Sequence, residues 1–286
     1  MNLISILIAL AIDAFYRPVQ EWRRFDWLER YVDGFLARTE EQTWRDGPLG
    51  LLVVLGSVVF GVWLAEAMLD GVAAFFGFLF GIAVLVFCLG PKDLESELDG
   101  FIDAMERGDE EAACLRATIL LGHDVGDNEQ TMMEQVKAGV VIEANNRLFA
   151  VIFWFMLLGP VGAALFRSTV VLRRHLRRID SGFAGSVEDL YRILIWLPAR
   201  LLVLGFALAG SFVDTVSRWR AFSDIWAADS ESLLVESSLG AIAHEPRAET
   251  GKPDLEGVIQ LMALIKRTLL VWLAALALMT LTGWVF

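Results

Sequence analysis

Cysteine and histidine are scarce in this 286-residue sequence, which contains two cysteines and three histidines. The spacing of Cys88 and Cys114 matches neither a disulfide framework nor a zinc site, so no redox chemistry is indicated. His123 precedes Asp124, but no second carboxylate or nucleophile follows at a spacing typical of acid–base catalysis, and a loop histidine is the favoured interpretation. We therefore predict no catalytic residue and no metal ligand.

Phosphate-binding and hydrolase motifs are also missing, since there is neither a Walker-type glycine loop nor a serine nucleophile elbow. Positive charge is in deficit as well: 24 Lys and Arg against 36 Asp and Glu give a net charge of −12. Nucleic-acid binding needs Lys and Arg clustered on one face. We expect no nucleic-acid partner, and the residues identify no cofactor.

Apolar residues, by contrast, make up 56% of the chain and fall into long runs. A helix of roughly 20 apolar residues crosses a bilayer core. Five runs have that length, the last of them interrupted by Arg200: Pro48–Met68, Gly71–Gly90, Leu148–Leu172, Thr268–Phe286 and Ile193–Phe212. The sequence predicts an all-α, polytopic integral membrane bundle with four or five spans and the lipid bilayer as its first partner.

The polar stretches between these runs also have helical periodicity. Residues 17–45 carry aromatic and apolar side chains at near-helical spacing, which predicts an amphipathic helix on a membrane face. Residues 91–147 predict an acidic extramembrane helical subdomain, with Asp109 and Asp127 as helix caps and Gly122 near a helix end. The predicted segments are 1–47 (N-terminal apolar segment and interfacial helix), 48–90 (transmembrane hairpin), 91–147, 148–213 (membrane core), 214–267 (polar helices and a loop, with Asp254 as the last cap) and 268–286 (C-terminal span).

Gly159 and Pro160 stand at the centre of one apolar run, where proline removes a helical hydrogen bond. We expect a kink or a re-entrant hairpin there. Downstream, the sequence "RRHLRR" places basic side chains in two stripes at four-residue spacing, suited to lipid headgroups or to an anionic ligand: Arg173 with Arg177, and Arg174 with Arg178. If Leu148–Leu172 crossed the bilayer once and the region around Lys92 were cytoplasmic, this cluster would lie outside, against the positive-inside rule, and a hairpin would remove the conflict.

A polar group stands where this run begins. Glu143 and Arg147 are four residues apart in the order that favours an ion pair on a helix, and Asn145 and Asn146 lie between them. The group is either a polar collar where the helix enters lipid or a binding site at the mouth of the bundle.

A second polar feature is Arg200 in "WLPARLL". We expect Pro198 in the first turns of the fifth span, where its missing N–H costs least. Arg200 then lies about one turn inside, where it either snorkels to the interface or marks a site.

Two stretches resemble the signatures shared by AmpE and the cobinamide-phosphate synthases of cobalamin assembly. They are "NRLFAVIFWFMLLGPVGAALFR" (Asn146–Arg167) and "LIWLPARLLVLGFALAGS" (Leu194–Ser211). The resemblance covers most of the chain, and it implies a structural role for the motif residues Phe153, Trp154, Gly159, Pro160, Arg167, Trp196 and Pro198.

Two departures separate this chain from the enzyme branch of that family. The enzymes carry Glu-Asn-x-x-Asp-Gly where residues 143–148 read Glu-Ala-Asn-Asn-Arg-Leu, and they carry an aspartate at the position that aligns with Arg173. Replacing acid by base changes a site for a nucleotide-bound metal or a cationic substrate. The resemblance therefore implies the AmpE branch, whose members are regarded as bacterial inner-membrane components tied to β-lactamase induction through cell-wall recycling.

On this basis we expect a regulator or sensor rather than a catalyst, with a polar or anionic ligand at Glu143, Asn145, Asn146, Arg147 and Arg200. Three alternatives stay open: an ATP-dependent amide-forming ligase of corrinoid type, a transporter subunit, and a scaffold that binds another membrane protein.

Overall fold

The computed structural model describes residues 2–15, 25–40, 42–90, 94–126, 128–179, 181–220, 222, 228–243 and 255–282. Helices are the only regular secondary structure in these residues, which confirms the all-α prediction. Twelve α-helices lie in the described chain: α1 Asn2–Phe15, α2 Asp26–Arg38, α3 Pro48–Val72, α4 Ala74–Cys88, α5 Leu94–Glu106, α6 Glu110–Leu121, α7 Glu129–Ala144, α8 Ala150–His175, α9 Gly182–Ala209, α10 Phe212–Arg220, α11 Ser230–Ala241 and α12 Leu255–Leu281. A 3₁₀-helix covers Thr43–Asp46, and a π-helix covers Asn145–Phe149.

Four helical segments of the described chain are long and apolar enough to cross a membrane, judged by length and composition: Pro48–Gly71, Glu129–His175, Gly182–Ala209 and Leu255–Leu281. These segments are consistent with a lipid bilayer environment. The predicted span Gly71–Gly90 is not among them. Its helix α4 has 15 residues, which at ~1.5 Å per residue is shorter than the ~30 Å hydrocarbon core.

The chain divides into two compact units, and each is discontinuous in sequence. The first unit combines Met1–Pro91, Asn146–Trp196 and Met279–Phe286. The second combines Lys92–Asn145 and Leu197–Leu278.

In the first unit, helix α2 packs its apolar face into the protein. Leu28 and Val32 are fully buried in a hydrophobic cluster that also contains side chains of α3, α8 and α9. Trp27 and Tyr31, elsewhere on α2, are exposed. The face of α2 that carries Leu28 and Val32 therefore contacts other helices, and the placement of this helix on a membrane face stays a prediction.

Helix α8 is broken at its centre, as the Gly159–Pro160 pair predicts. Gly159 has φ 65° and ψ −153°, a region that essentially only glycine adopts. The break confirms the prediction and divides α8 into limb 1 (residues 150–158) and limb 2 (residues 160–175).

Helix α9 begins earlier than the sequence predicted. It starts at Gly182 and runs for 28 residues, so Pro198 lies in the helix interior. The placement of Pro198 in the first turns is wrong, because the polar residues before Ile193 continue the helix in the N-terminal direction. The carbonyl four residues before Pro198, that of Leu194, consequently has no helical N–H to accept from.

In the second unit, the predicted ends of α6 are confirmed. The side chain of Asp109 caps its first turn, and Gly122 ends it in the left-handed conformation at φ 69°. Helix α7 begins after Asn128, whose side chain accepts a backbone hydrogen bond of 3.0 Å. The other two predicted caps, Asp127 and Asp254, lie outside the described residues.

Candidate functional site

A run of polar side chains is buried at the junction of α7 and α8. Glu143, Asn145, Asn146 and Arg147 are between 0% and 6% exposed. The backbone there is π-helical from Asn145 onward, and π turns inside α-helices are frequent at functional sites. The π turn changes the four-residue spacing on which the Glu143–Arg147 ion pair rests, and that pair stays a prediction. Sequence periodicity gave no sign of the π turn.

Asn145 is the most unusual member of this run. Its side chain is 0% exposed, and neither Oδ1 nor Nδ2 has a hydrogen-bond partner among the described residues. A buried polar group without a partner costs about 1–3 kcal/mol. The Asn145 amide offers one acceptor and two donors, and in this position it does not stabilise the fold.

Asn146, the next residue, is held from α9. The hydroxyl of Tyr191 donates a 3.0 Å hydrogen bond to Oδ1 of Asn146, and Tyr191 is 1% exposed. Sequence reasoning missed Tyr191, because a single tyrosine in an amphipathic helix carries no motif. The bond fixes the orientation of the Asn146 amide.

The side chain of Arg147 lies against the backbone of Gly90, just after α4. A Cβ on Gly90 would approach Cδ and Cγ of Arg147 to 2.7 and 2.8 Å, so only glycine leaves room for the aliphatic part of the arginine. Gly90 was singled out in the sequence only as the end of an apolar run.

Arg173 turns toward the protein. Its guanidinium donates to both carboxylate oxygens of Glu188, at 2.6 and 3.2 Å, and its Cζ lies 3.9 Å from the ring centroid of Tyr191. Bidentate pairing and stacking on an aromatic ring are the contacts that guanidinium geometry favours. Tyr191 therefore contacts two residues that the sequence singled out, Asn146 and Arg173.

Helix α8 ends at His175, so Arg177 and Arg178 lie beyond the helix on which the two predicted arginine stripes depend. Arg177 and Arg178 are exposed, whereas Arg173 and Arg174 are partly buried. Only the last two arginines are placed as lipid-facing basic residues would be.

Arg200, in the second unit, is 5% exposed. Its Nη1 donates to Oγ of Ser230, and its Nη2 donates to the carbonyl oxygen of Ala228, both at 3.2 Å. These contacts hold the guanidinium inside the protein, so the snorkelling interpretation is wrong. Glu143 and Asn145 belong to the same unit as Arg200, whereas Asn146 and Arg147 belong to the first unit.

A hydrogen bond joins the two family stretches. The indole Nε1–H of Trp154 donates to the carbonyl oxygen of Leu194 at 3.0 Å. That carbonyl is the one that Pro198 deprives of its helical donor. Trp154 thus satisfies a backbone group that Pro198 leaves open, which gives both motif residues a structural role.

This pairing predicts a coupling between the two residues. Trp154→Phe removes the donor and should lower the free energy of unfolding by about 1–3 kcal/mol, because a buried carbonyl is left unsatisfied. In a Pro198→Ala background the new N–H can reach Leu194, so the same change should cost less. A double-mutant cycle in detergent measures the difference, and additive effects would contradict the assignment.

The remaining motif residues also pack in the protein. Phe153 makes an edge contact with Trp154 at 5.3 Å between centroids. Arg167 is 2% exposed, and its Cζ lies 5.4 Å from the ring centroid of Phe25. Trp196 is partly buried. His123 contacts the backbone oxygen of Asp124 at 2.9 Å, a local loop contact rather than a bond between the two side chains.

A cavity of about 670 Å³ opens elsewhere in the second unit. The charged residues in its lining are Glu134, Lys137, Arg218 and Glu236, of which Arg218 and Glu236 form an ion pair of 2.9 Å. None of the predicted site residues lines it.

Comparison with known proteins agrees with the two signature stretches. The family described as regulatory signalling modulator protein AmpE matches residues 1–286. The chain belongs to the AmpE family. Protein AmpE of Shigella flexneri is 21% identical over 300 residues, which covers 99% of each chain.

Members of the cobalamin pathway are similar too. The cobalamin biosynthesis protein CobD of Stutzerimonas stutzeri (strain A1501) is 25% identical over 264 residues, covering 84% of this chain and 80% of the relative. The CobD protein of Chromobacterium violaceum is 25% identical over 167 residues, covering 56% and 53%. No solved structure matches the chain.

Proposed function

We propose that the protein is a multi-pass regulator of the bacterial inner membrane, and that it senses a polar or anionic ligand and modulates β-lactamase induction. The carrying observation is the buried polar run at the π turn, where four neighbouring side chains are almost fully removed from solvent. Membership of a family described as regulatory signalling modulators supports the regulatory role.

Arg147 supports the polar or anionic character of the ligand. It stands where the resemblance gives the enzyme branch an aspartate, and Arg173, which also replaces an acid, is already paired with Glu188. An arginine binds carboxylate or phosphate groups, whereas an aspartate binds metal ions and ammonium groups. The substitutions favour a binding protein that no longer holds a metal-bound nucleotide.

The proposal is tested in a strain that carries an inducible β-lactamase and lacks its own copy of this gene. Wild-type protein should restore induction by a β-lactam. Arg147→Ala should not, because loss of a charge-assisted hydrogen bond lowers ligand affinity by about 10- to 100-fold.

Two matched variants and a measurement of the protein level in the membrane serve as controls for that experiment. Arg178→Ala removes an exposed arginine and should leave induction unchanged. Arg147→Lys keeps the positive charge, and it serves to separate an effect on folding from an effect on ligand recognition. Membrane levels of each variant are quantified, and full induction by Arg147→Ala at wild-type level contradicts the proposal.

The similarity to CobD across most of the chain favours one second candidate, an ATP-dependent amide-forming ligase. Purified protein in detergent, given ATP, a corrinoid acid and an amino alcohol, would form the amide and consume ATP. Loss of that activity in Arg200→Ala would establish the ligase and reject the non-catalytic proposal. A scaffold would instead retain one stoichiometric membrane partner on purification, and a transporter subunit would support uptake into proteoliposomes.

A further inference from the structure

We infer that residues 146–175 form a re-entrant helical hairpin, which enters and leaves the bilayer on the same side. Hydropathy assigns a crossing to the longer helical segment Glu129–His175, which contains these residues. The inference concerns membrane topology and does not depend on the proposed function.

The first observation is the close approach of the two limbs of α8 around Gly159. A Cβ on Gly162 would overlap the carbonyl oxygen of Trp154, which lies eight residues earlier, and would lie 2.7 Å from Cβ of Leu158. In an uninterrupted helix eight residues are separated by roughly 12 Å along the axis. The chain therefore turns back on itself at Gly159.

The second observation is that both ends of the segment reach the same side chain. Asn146 accepts a hydrogen bond from the hydroxyl of Tyr191, and the guanidinium of Arg173 lies over the ring of Tyr191. An uninterrupted helix would place residues 146 and 173 roughly 40 Å apart. One tyrosine cannot bridge that distance, so the two limbs lie side by side.

The third observation comes from α4, which lies antiparallel to limb 1. Gly90, after the end of α4, lies against Arg147 at the base of the hairpin. Gly81, nine residues earlier, lies against the tip: a Cβ there would be 3.5 Å from Cγ of Pro160 and 3.8 Å from Cζ of Phe155. Base and tip thus lie at different depths along α4.

Helix α3 gives the same order on the other limb. Val54 and Leu55 share the buried cluster with Val171 and Leu172 near the base. Twelve residues after Val54, the Glu66 carboxylate lies 3.8 Å from the Cβ position of Gly159 at the tip. The contacts of α3 and of α4 therefore place the turn at Gly159 at the same depth.

The length of limb 2 supports re-entry rather than a crossing. Its 16 residues extend roughly 24 Å, which is less than the ~30 Å needed to cross the hydrocarbon core. Limb 1 continues through the π-helix into α7, so its own length sets no limit. Broken helices at membrane depth are tolerated where protein surrounds them, and Pro160 and Gly162 are both buried.

The hairpin has a consequence for the arginines. Arg177 and Arg178 lie on the same membrane face as Asn146 and Arg147, so access to this end of the buried polar run is from one side only. The conflict between a single crossing and the positive-inside rule disappears.

Cysteine accessibility tests the inference. In a Cys88→Ala, Cys114→Ser background, single cysteines are introduced as Asp124→Cys, ahead of the segment, and Arg177→Cys, behind it. A membrane-impermeant maleimide is added to right-side-out and to inverted vesicles. Detergent-solubilised protein gives the full labelling reference for each site, and both original residues are exposed.

The hairpin predicts that the two cysteines label in the same vesicle orientation, each at least tenfold faster than in the other orientation. Gln42→Cys and Gly71→Cys, which flank the candidate span of α3, serve as the matched pair and should label in opposite orientations. Opposite orientations for Asp124→Cys and Arg177→Cys would overturn the inference.

Discussion

Replacing Asn145 by leucine is expected to stabilise the protein and at the same time to abolish β-lactamase induction. Leucine branches at the same side-chain atom as asparagine, and it removes two buried polar atoms that have no partner among the described residues. The free energy of unfolding should rise by about 1–3 kcal/mol, the cost of leaving such a group unsatisfied. Unfolding in detergent and the induction assay measure the two effects on the same variant.

Ser237→Ala is the control for this prediction. The hydroxyl of Ser237 is also fully buried without a partner among the described residues, but it lies in α11. Its removal should likewise stabilise the protein while leaving induction intact. If Asn145→Leu lowers stability, the amide has a structural role; if it keeps full induction, the ligand-binding role of Asn145 is wrong.

Gly162→Leu is expected to cause the largest loss of stability. The new side chain would overlap the Trp154 carbonyl and force the limbs of α8 apart. Overpacking of this kind costs about 1–3 kcal/mol and sometimes more. The apparent melting temperature in detergent should therefore fall by several degrees. The hydrogen bond from Trp154 to Leu194 of α9 should be lost as well.

Gly61→Leu is the matched substitution. Gly61 lies in α3, and no atom lies within 4 Å of its Cβ position. This variant should melt close to wild type. Equal melting of Gly162→Leu and wild type would show that the limbs do not approach each other.

Local signals predicted the parts of the fold that local chemistry determines. Asp109 caps a helix because its carboxylate accepts from the backbone, and Gly122 ends one because glycine tolerates positive φ. The Gly159–Pro160 pair predicted a break for the same kind of reason. Each of these depends on a few consecutive residues.

The remaining features depend on residues far apart in the chain. Hydropathy alone could not decide whether Leu148–Leu172 crosses the bilayer or re-enters, because a re-entrant hairpin and a span have the same composition. The sequence suited Arg173 to a lipid headgroup, because its contacts with Glu188 and Tyr191 come from a different helix. Pro198 looked like a helix start because the polar first half of α9 hid the continuation of that helix.

The ligand-binding role of the five predicted residues stays a prediction, whereas their burial was not foreseen from the sequence. Glu143, Asn145, Asn146, Arg147 and Arg200 are all buried, which a polar collar at a lipid boundary does not require. The sequence gave no means of finding Tyr191, Gly90 or the π turn, since each acts on a partner distant in sequence or on backbone register.

A distance between two spin labels tests most directly whether the α8 segment folds back on itself. Leu148→Cys and Arg177→Cys in the cysteine-free background are labelled and measured by double electron–electron resonance. A straight helix places these positions roughly 40 Å apart. The hairpin predicts a distance less than about half of that value, and a single population near 40 Å would contradict it.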